Sequence, residues 1–205
     1  MLIIISGPSG SGKNTVINRL LERVYNLEIM KSCTTRADRG DNDNNYYYLT
    51  QEEFEKKLKN DEFFETEMVH AGLWYGTLKK SLEEVINGEK LYIKDIDVNG
   101  AEKISNFLVG KANVIKIFVD ASDEVLRDRL TKRGESPEQI DIRLSRANYE
   151  RSFKPRYDYC VNNNEIEATV KLVLAYIEKR KNAIIWQKLL FIFEEFFYMV
   201  YYPLL

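Results

Sequence analysis

Cysteine is nearly absent from this 205-residue chain: Cys33 and Cys160 stand far apart and outside any C-x-x-C spacing. That excludes a disulfide framework and a cysteine-built zinc site, and it predicts a reducing, cytoplasmic setting. Histidine is scarcer still. The single His70 has no partner spacing for metal binding or catalysis and is assigned no role. Charge of one sign is missing too: 30 Lys and Arg face 32 Asp and Glu, a formal net charge of -2. Such a balance offers no field for holding nucleic acid nonspecifically, so any phosphate has to be gripped locally. The N-terminus lacks a basic segment followed by an apolar run and a small-residue cleavage site, which predicts a chain that is not secreted. There is no internal repeat and no low-complexity linker. The length suits one substantial core with inserts rather than two full domains.

What is present begins at once. Leu2 to Ile5 is a continuously apolar, β-branched run, and directly behind it stands "GPSGSGKNT", Gly7 to Thr15. Apolar residues then recur at helical spacing through Val16, Ile17, Leu20, Leu21 and Val24. The order is strand, loop, helix, which is the context a phosphate-binding loop requires. Gly7, Gly10 and Gly12 let backbone amides approach an anion, the helix presents its N-terminal dipole, and Lys13 adds a mobile charge for the outer phosphates. Pro8, Ser9 and Ser11 complete the loop. The usual pattern puts Ser or Thr after the lysine, as a ligand for Mg²⁺; here Asn14 takes that place, with the Thr15 hydroxyl one position on. A carboxamide oxygen can accept a metal-bound water or ligate weakly, so the exchange weakens direct metal ligation without removing nucleotide binding.

Similar apolar runs at Leu91 to Ile96 and Val114 to Val119, each followed by a helical segment, predict an α/β fold around a buried parallel sheet. Two stretches break the alternation. The first, "SCTTRADRGDNDNN" from Ser32, leads through "YYYL" to a predicted helix at Gln51 to Lys59. Its Arg36 and Arg39, with Tyr46 beyond, can clamp one dianionic phosphate; solvated arginines on a loop explain them equally well. The second, Val125 to Phe153, is a charged helical run with Arg127, Arg129, Arg133 and Arg143, broken at "RGESPE", where Ser136 and Pro137 read as an N-cap and first turn. Its arginines suit a lid over transferring phosphates, or a merely solvated face. Asp95 and Asp97, two apart at the end of a buried strand, share the carboxyl edge of the sheet where ligands bind. One can position Mg²⁺ waters and the other can accept from a base, although Asp97 also suits a helix N-cap.

Taken together, "GPSGSGK", "SCTTR" with Arg39, Tyr46, "FFE", "YGT", "DIDVNGA", "RLTKRG" and "RLSRA" resemble the guanylate kinase family of nucleoside monophosphate kinases, in the family's order, over about Leu2 to Lys181. The resemblance implies transfer of the γ-phosphoryl group of ATP to GMP, with Mg²⁺, and leaves dGMP open as an acceptor. It implies a P-loop core over 1–181, with a GMP lobe near 32–86 and a helical lid near 125–153. By motif match Arg36, Arg39, Tyr46 and Tyr75 hold the GMP phosphate, and Ser32, Glu65, Thr77 and Asp97 read the guanine. Lys13, Arg129, Arg133 and Arg143 act on the ATP phosphates and, with Arg36, on the moving phosphoryl group; Asn14 and Asp95 reach the metal through water. Asn14, a short loop before Tyr46 and an insertion between Glu65 and Tyr75 depart from the family, and the insertion makes Glu67 a rival of Glu65. A non-catalytic interaction module, or a kinase for another phosphorylated acceptor, is the alternative.

The stretch at 182–205 departs most. From Ala183, "AIIWQKLLFIFEEFFYMVYYPLL" is mostly apolar, with Gln187–Lys188 and Glu194–Glu195 forming a narrow polar stripe on a predicted helix. Spanning a membrane would bury two adjacent glutamates at roughly 2.5–3.5 kcal/mol each, so no transmembrane span is expected. The tail is expected to pack on the domain's own surface or on a second copy, and peripheral membrane contact is disfavoured by the stripe's few basic residues.

Overall fold

The computed structural model describes residues 1–38, 44–69, 72–88 and 90–201, without the side chains of 69, 188 and 191–201. Arg39 and His70 lie outside the described residues. Five strands form the core sheet: β1 (Leu2–Ser6), β2 (Leu27–Ile29), β7 (Leu91–Asp95), β8 (Val114–Asp120) and β9 (Tyr159–Asn162), in the order β2-β7-β1-β8-β9. All its pairings are parallel. A parallel sheet needs helical crossovers, and these cover both faces.

Strand alternation sorts the core. Ile3, Ile5, Ile93, Ile117 and Val119 pack with Val16, Ile17 and Leu20 of α1 (Lys13–Arg23) and with Val170, Val173 and Ile177 of α7 (Ile166–Tyr201). Leu2, Ile4, Tyr92 and Phe118 face the other way, onto Leu82 and Val85 of α3 (Lys79–Asn87) and Val98, Ala101, Ile104 and Leu108 of α4 (Val98–Leu108). Every side chain of β1 is buried, which explains its unbroken apolar run.

The polar insert folds as a second sheet, β4-β3-β6-β5, built from β3 (Ser32–Thr34), β4 (Tyr46–Tyr48), β5 (Phe63–Val69) and β6 (Leu73–Leu78). The helix α2 spans Gln51–Lys59, the limits expected from sequence, because Thr50 and Glu53 close a reciprocal capping box. Phe54, Phe63 and Cys33 form the lobe's own small core, with the two phenylalanine rings stacked at 4.5 Å. The lid is a helix pair, α5 (Asp123–Lys132) and α6 (Pro137–Arg151), and Ser136 caps α6 with Pro137 in its first turn as the sequence predicts.

The boundary expected at 181/182 falls inside α7, which continues through it without a break. Ile185, Trp186, Leu189 and Leu190 are half or more exposed, so at these residues the helix does not lie on the domain's own surface. Among the described residues no helix is long and apolar enough to cross a membrane.

Candidate active site

The loop after β1 turns on three glycines with positive φ, at 141° for Gly7, 87° for Gly10 and 91° for Gly12. Gly7 also sits so close to β8 that a Cβ would lie 1.9 Å from the Val119 carbonyl oxygen. The loop thus needs glycine for backbone shape and for space. Lys13 Nζ donates to the carbonyl oxygens of Gly7 and Pro8, at 2.7 and 3.2 Å, so its charge hangs over the loop mouth.

A cavity of about 350 Å³ opens there. Gly7, Ser9, Gly10, Gly12, Lys13 and Asn14 line it from the loop, while Asp95 and Asp97 line it from the carboxyl end of β7. The second sheet contributes Ser32, Arg36, Tyr46, Glu65, Glu67 and Tyr75. The lid contributes Arg133, Arg143, Arg146, Glu135 and Glu150. Three regions far apart in sequence therefore meet around one space.

On the second sheet's side, Arg36 lies over the Tyr46 ring at 4.9 Å and donates to the Tyr48 hydroxyl at 3.3 Å. Tyr46 meets Tyr75 edge to face at 5.7 Å. This is a cationic, hydroxyl-bearing cage of the kind that holds a phosphate. Farther in stand the carboxylates. Glu65 Oε1 accepts from the Thr77 hydroxyl at 2.7 Å. Thr77 is fully buried, and it stands behind Glu65 rather than lining the cavity itself. Asp97 caps α4, its Oδ1 accepting from Asn99 N and Gly100 N at 2.8 and 3.2 Å, and it also lines the cavity.

Glu67 adds a third carboxyl. Burial, together with a hydrogen bond to Asp97 and the charge of that group, pushes the Glu67 pKa up from 4.5 to about 7. Glu150 is likewise raised, by burial, against the opposing pull of Lys13 and Arg146. Beneath the carboxylates, the fully buried Lys94 donates to Ser32 Oγ at 2.6 Å. Burial pushes its pKa down from 10.5 to about 8, opposed by Glu65 and Asp95.

On the loop's side, Arg143 donates to Ser9 Oγ at 2.9 Å and pairs with Glu135. Arg129 turns away from the cavity. Its guanidinium donates to the carbonyl oxygens of Gly10 and Ser11, each at 3.2 Å, and of Asn163 at 2.9 Å. Asn163 Nδ2 donates in turn to Ser11 O at 2.8 Å. In this arrangement Arg129 ties the lid helix α5 to the loop's backbone. Thr15 is exposed on α1 and does not line the cavity, and neither Pro8 nor the buried Ser11 does.

Arg146, Glu135, Glu150, Lys94 and Asn163 are site residues that the motifs did not single out. The signal for two of them was present: Arg143, Arg146 and Glu150 recur at helical spacing, which puts all three on one face of α6. Lys94 was a lone lysine inside an apolar strand.

A glycine-rich anion loop at the carboxyl edge of a parallel sheet, an Arg–Tyr cage and an arginine-bearing helical lid define a P-loop phosphotransferase with two anionic substrates. The comparisons with known proteins narrow this further. The family model described as guanylate kinase matches residues 1–180. The chain is 40% identical over 185 residues to the guanylate kinase of Bacteroides thetaiotaomicron, covering 88% of this chain and 90% of that one. With the Porphyromonas gingivalis guanylate kinase it shares 41% identity over 176 residues, 84% and 93% of the two chains. The crystal structure of guanylate kinase from Anaplasma phagocytophilum superposes with a TM-score of 0.69 at 30% identity, covering 88% and 85%. The chain belongs to the guanylate kinase family.

Proposed function

We propose that the chain transfers the γ-phosphoryl group of ATP to the phosphate of GMP, giving ADP and GDP. The observation that carries this reading is the single cavity shared by Lys13 of the loop, the Arg36–Tyr46–Tyr75 cage and the Glu65 and Asp97 carboxylates. Guanine offers N–H donors at N1 and N2, which carboxylates accept, whereas adenine has no donor at N1. A site built of acceptors rejects the wrong base because its own groups would be left unpaired.

Arg36, Tyr46 and Tyr75 hold the GMP phosphate, and the same role falls to Arg39. Ser32, Glu65 and Asp97 read the base, with Thr77 fixing Glu65. The loop amides and Lys13 hold the ATP phosphates, Arg133 and Arg143 neutralise the charge that spreads during transfer, and Arg129 keeps the loop in shape. No general base is needed, because the GMP phosphate is already an anionic nucleophile. Catalysis is positioning and charge neutralisation, with water excluded as the two lobes close.

The oxygen donors at the loop mouth suit Mg²⁺, which keeps several waters. Asn14 and Asp95 both line the cavity there, and among the described residues no group of His, Cys, Asp and Glu forms a cage of its own. The ion would therefore arrive with ATP, held by Asn14 and Asp95 through water, and it would supply neutralisation of phosphate charge. The reading extends to a 1–181 catalytic unit with the lobe and lid given above, a cytoplasmic setting, and self-association through the exposed apolar part of α7.

The test is ADP formation from ATP and Mg²⁺ with GMP, dGMP, AMP, CMP, UMP or no acceptor. Turnover with guanine nucleotides alone is expected. Turnover with another phosphorylated acceptor instead, or with none, replaces this reading with a different kinase or with an interaction module.

A further inference from the structure

Lys94 interrupts a strand that is otherwise built for burial. In β7, Leu91 and Ile93 face the α1 and α7 side of the sheet, while Tyr92 belongs to the opposite core. By strand alternation Lys94 shares the face of Tyr92, and its side chain is wholly inaccessible to solvent. A buried ammonium normally sits against a carboxylate. Among the described residues Lys94 makes no such contact within ion-pair distance, and its Nζ instead donates to a neutral hydroxyl, Ser32 Oγ, at 2.6 Å. Ser32 lines the cavity on the same wall as Glu65 and Glu67, and no described group accepts the proton of its hydroxyl.

The chemistry of this pair fixes a direction. A serine hydroxyl by itself can donate or accept, so it cannot tell an acceptor on a ligand from a donor. An ammonium carries three N–H bonds and no lone pair, so toward Lys94 the Ser32 oxygen can only accept. The proton of Ser32 is thereby turned away from Lys94, and the adjacent charge polarises the O–H bond into a stronger donor. The open direction is the cavity. A purine bound there meets carboxylate acceptors from Glu65 and Asp97 and one dedicated donor from Ser32. The 6-oxo group of guanine is an acceptor at the position where adenine carries a 6-amino donor.

We infer that Lys94 is a positioning residue for base selection: it holds Ser32 as a hydrogen-bond donor toward the 6-oxo group of the acceptor purine. This rests on the GMP reading above and assigns the residue that enforces one part of it.

The experiment compares three acceptors at saturating ATP: GMP; IMP, which keeps the 6-oxo group and N1–H and lacks the 2-amino group; and 2-aminopurine riboside monophosphate, which keeps the 2-amino group and lacks both the 6-oxo group and the N1–H donor. Wild-type protein is expected to prefer GMP to the 2-aminopurine nucleotide. In Lys94→Met, kcat/KM for GMP and IMP is expected to fall about tenfold, the scale of one charge-assisted hydrogen bond, while the 2-aminopurine nucleotide changes by less than about twofold. The preference for GMP over the 2-aminopurine nucleotide then falls by that same factor, keeping the part due to the N1–H donor that 2-aminopurine also lacks, and the GMP-to-IMP ratio stays where it was. Ser32→Ala should behave alike, and combining it with Lys94→Met should add nothing further. Lys94→Gln, whose amide can accept as well as donate, carries the same test should Lys94→Met not fold. A variant that slows all three acceptors by one common factor shows a structural role only and overturns the inference. So does a wild-type protein that turns over GMP without preferring it to the 2-aminopurine nucleotide, which leaves the kinase reading intact. Absence of turnover with every acceptor overturns both.

Discussion

Arg146 of the lid helix α6 reaches across the cavity to Glu67 of strand β5, with its Nη2 3.6 Å from Oε1. The same guanidinium is held on its own helix by Glu150, whose Oε1 accepts from Nε at 3.3 Å. Glu67 also faces Asp97, the N-cap of α4 just past the end of β7. One side chain therefore touches the lid, the second sheet and the edge of the core, and the protonation of Glu67 bears on how all three sit together.

That protonation gives the first prediction. Folding raises the Glu67 pKa from 4.5 to about 7 through burial and the neighbouring Asp97. The native state thus binds this proton more tightly than the unfolded chain. The stabilisation is fully present below pH 4.5 and is lost as pH rises through about 7. Glu67→Gln, which cannot ionise, is expected to match wild type in thermal unfolding near pH 5 and to exceed it near pH 8. Parallel curves for the two proteins across that window would show that Glu67 keeps its ordinary acidity in the fold.

Arg129 separates bracing from phosphate contact. Its three bonds to the carbonyl oxygens of Gly10, Ser11 and Asn163 hold the loop in the shape that ATP meets. Arg129→Met is expected to lower stability by about 2–3 kcal/mol, on the scale of hydrogen bonds from a charged donor. It should also raise KM for ATP more than KM for GMP. Denaturant unfolding and steady-state kinetics check both. A large fall in kcat with stability unchanged would instead place the guanidinium on the transferring phosphoryl group.

The tail can be removed. Among the described side chains of α7 the last buried one is Ile177, and beyond it Ile185, Trp186, Leu189 and Leu190 are 53%, 66%, 50% and 62% exposed. None of the described residues that line the cavity lies on α7. Deleting residues 182–205 is therefore expected to leave GMP phosphorylation within about twofold of wild type, since surface changes away from the core cost little. An apolar helix face of this kind marks a contact surface, so the mass in solution should fall toward the monomer. Equal masses for the two proteins, with liposome binding lost on deletion, would assign the face to a lipid surface.

How much of this was legible in the sequence follows from how local each feature is. The glycine loop, the limits of α2 and the Ser136–Pro137 start of α6 all read correctly, because each is set by residues within a few positions: the glycines' φ values, the Thr50–Glu53 box and the Ser136–Gln139 box. The strand order β2-β7-β1-β8-β9 could not be read this way, since it depends on which strands meet. The same holds for individual side chains. Arg129 looked like a phosphate ligand from its place beside "TKRG", and only the fold brings Asn163 and the loop carbonyls to it. Thr77 was picked out by its motif, but that it stands opposite Glu65 follows only from the pairing of β5 with β6. Lys94 gave a visible signal, a charge inside an apolar run, but its meaning required knowing that Ser32 lies at the other end of its side chain.

Asn14 yields the last prediction. It lines the cavity beside Lys13, at the place from which a hydroxyl would ligate Mg²⁺ directly. A carboxamide is longer than a serine side chain, so it suits contact through a metal-bound water better than direct ligation at the short distances Mg²⁺ demands. Asn14→Ser is therefore expected to lower the Mg²⁺ concentration for half-maximal rate by about fivefold, the worth of one modest additional contact. KM for GMP should not move, because the Arg36–Tyr46–Tyr75 cage proposed for the GMP phosphate is formed on the second sheet's side of the cavity. Titrating Mg²⁺ at fixed ATP in both proteins measures this. An unchanged Mg²⁺ dependence would mean that the triphosphate and Asp95 position the ion by themselves, and that the residue after the lysine is free to vary in this chain. A rate that falls in Asn14→Ser would mean that the carboxamide is itself the better partner, fitted to a metal-bound water that the shorter hydroxyl cannot reach.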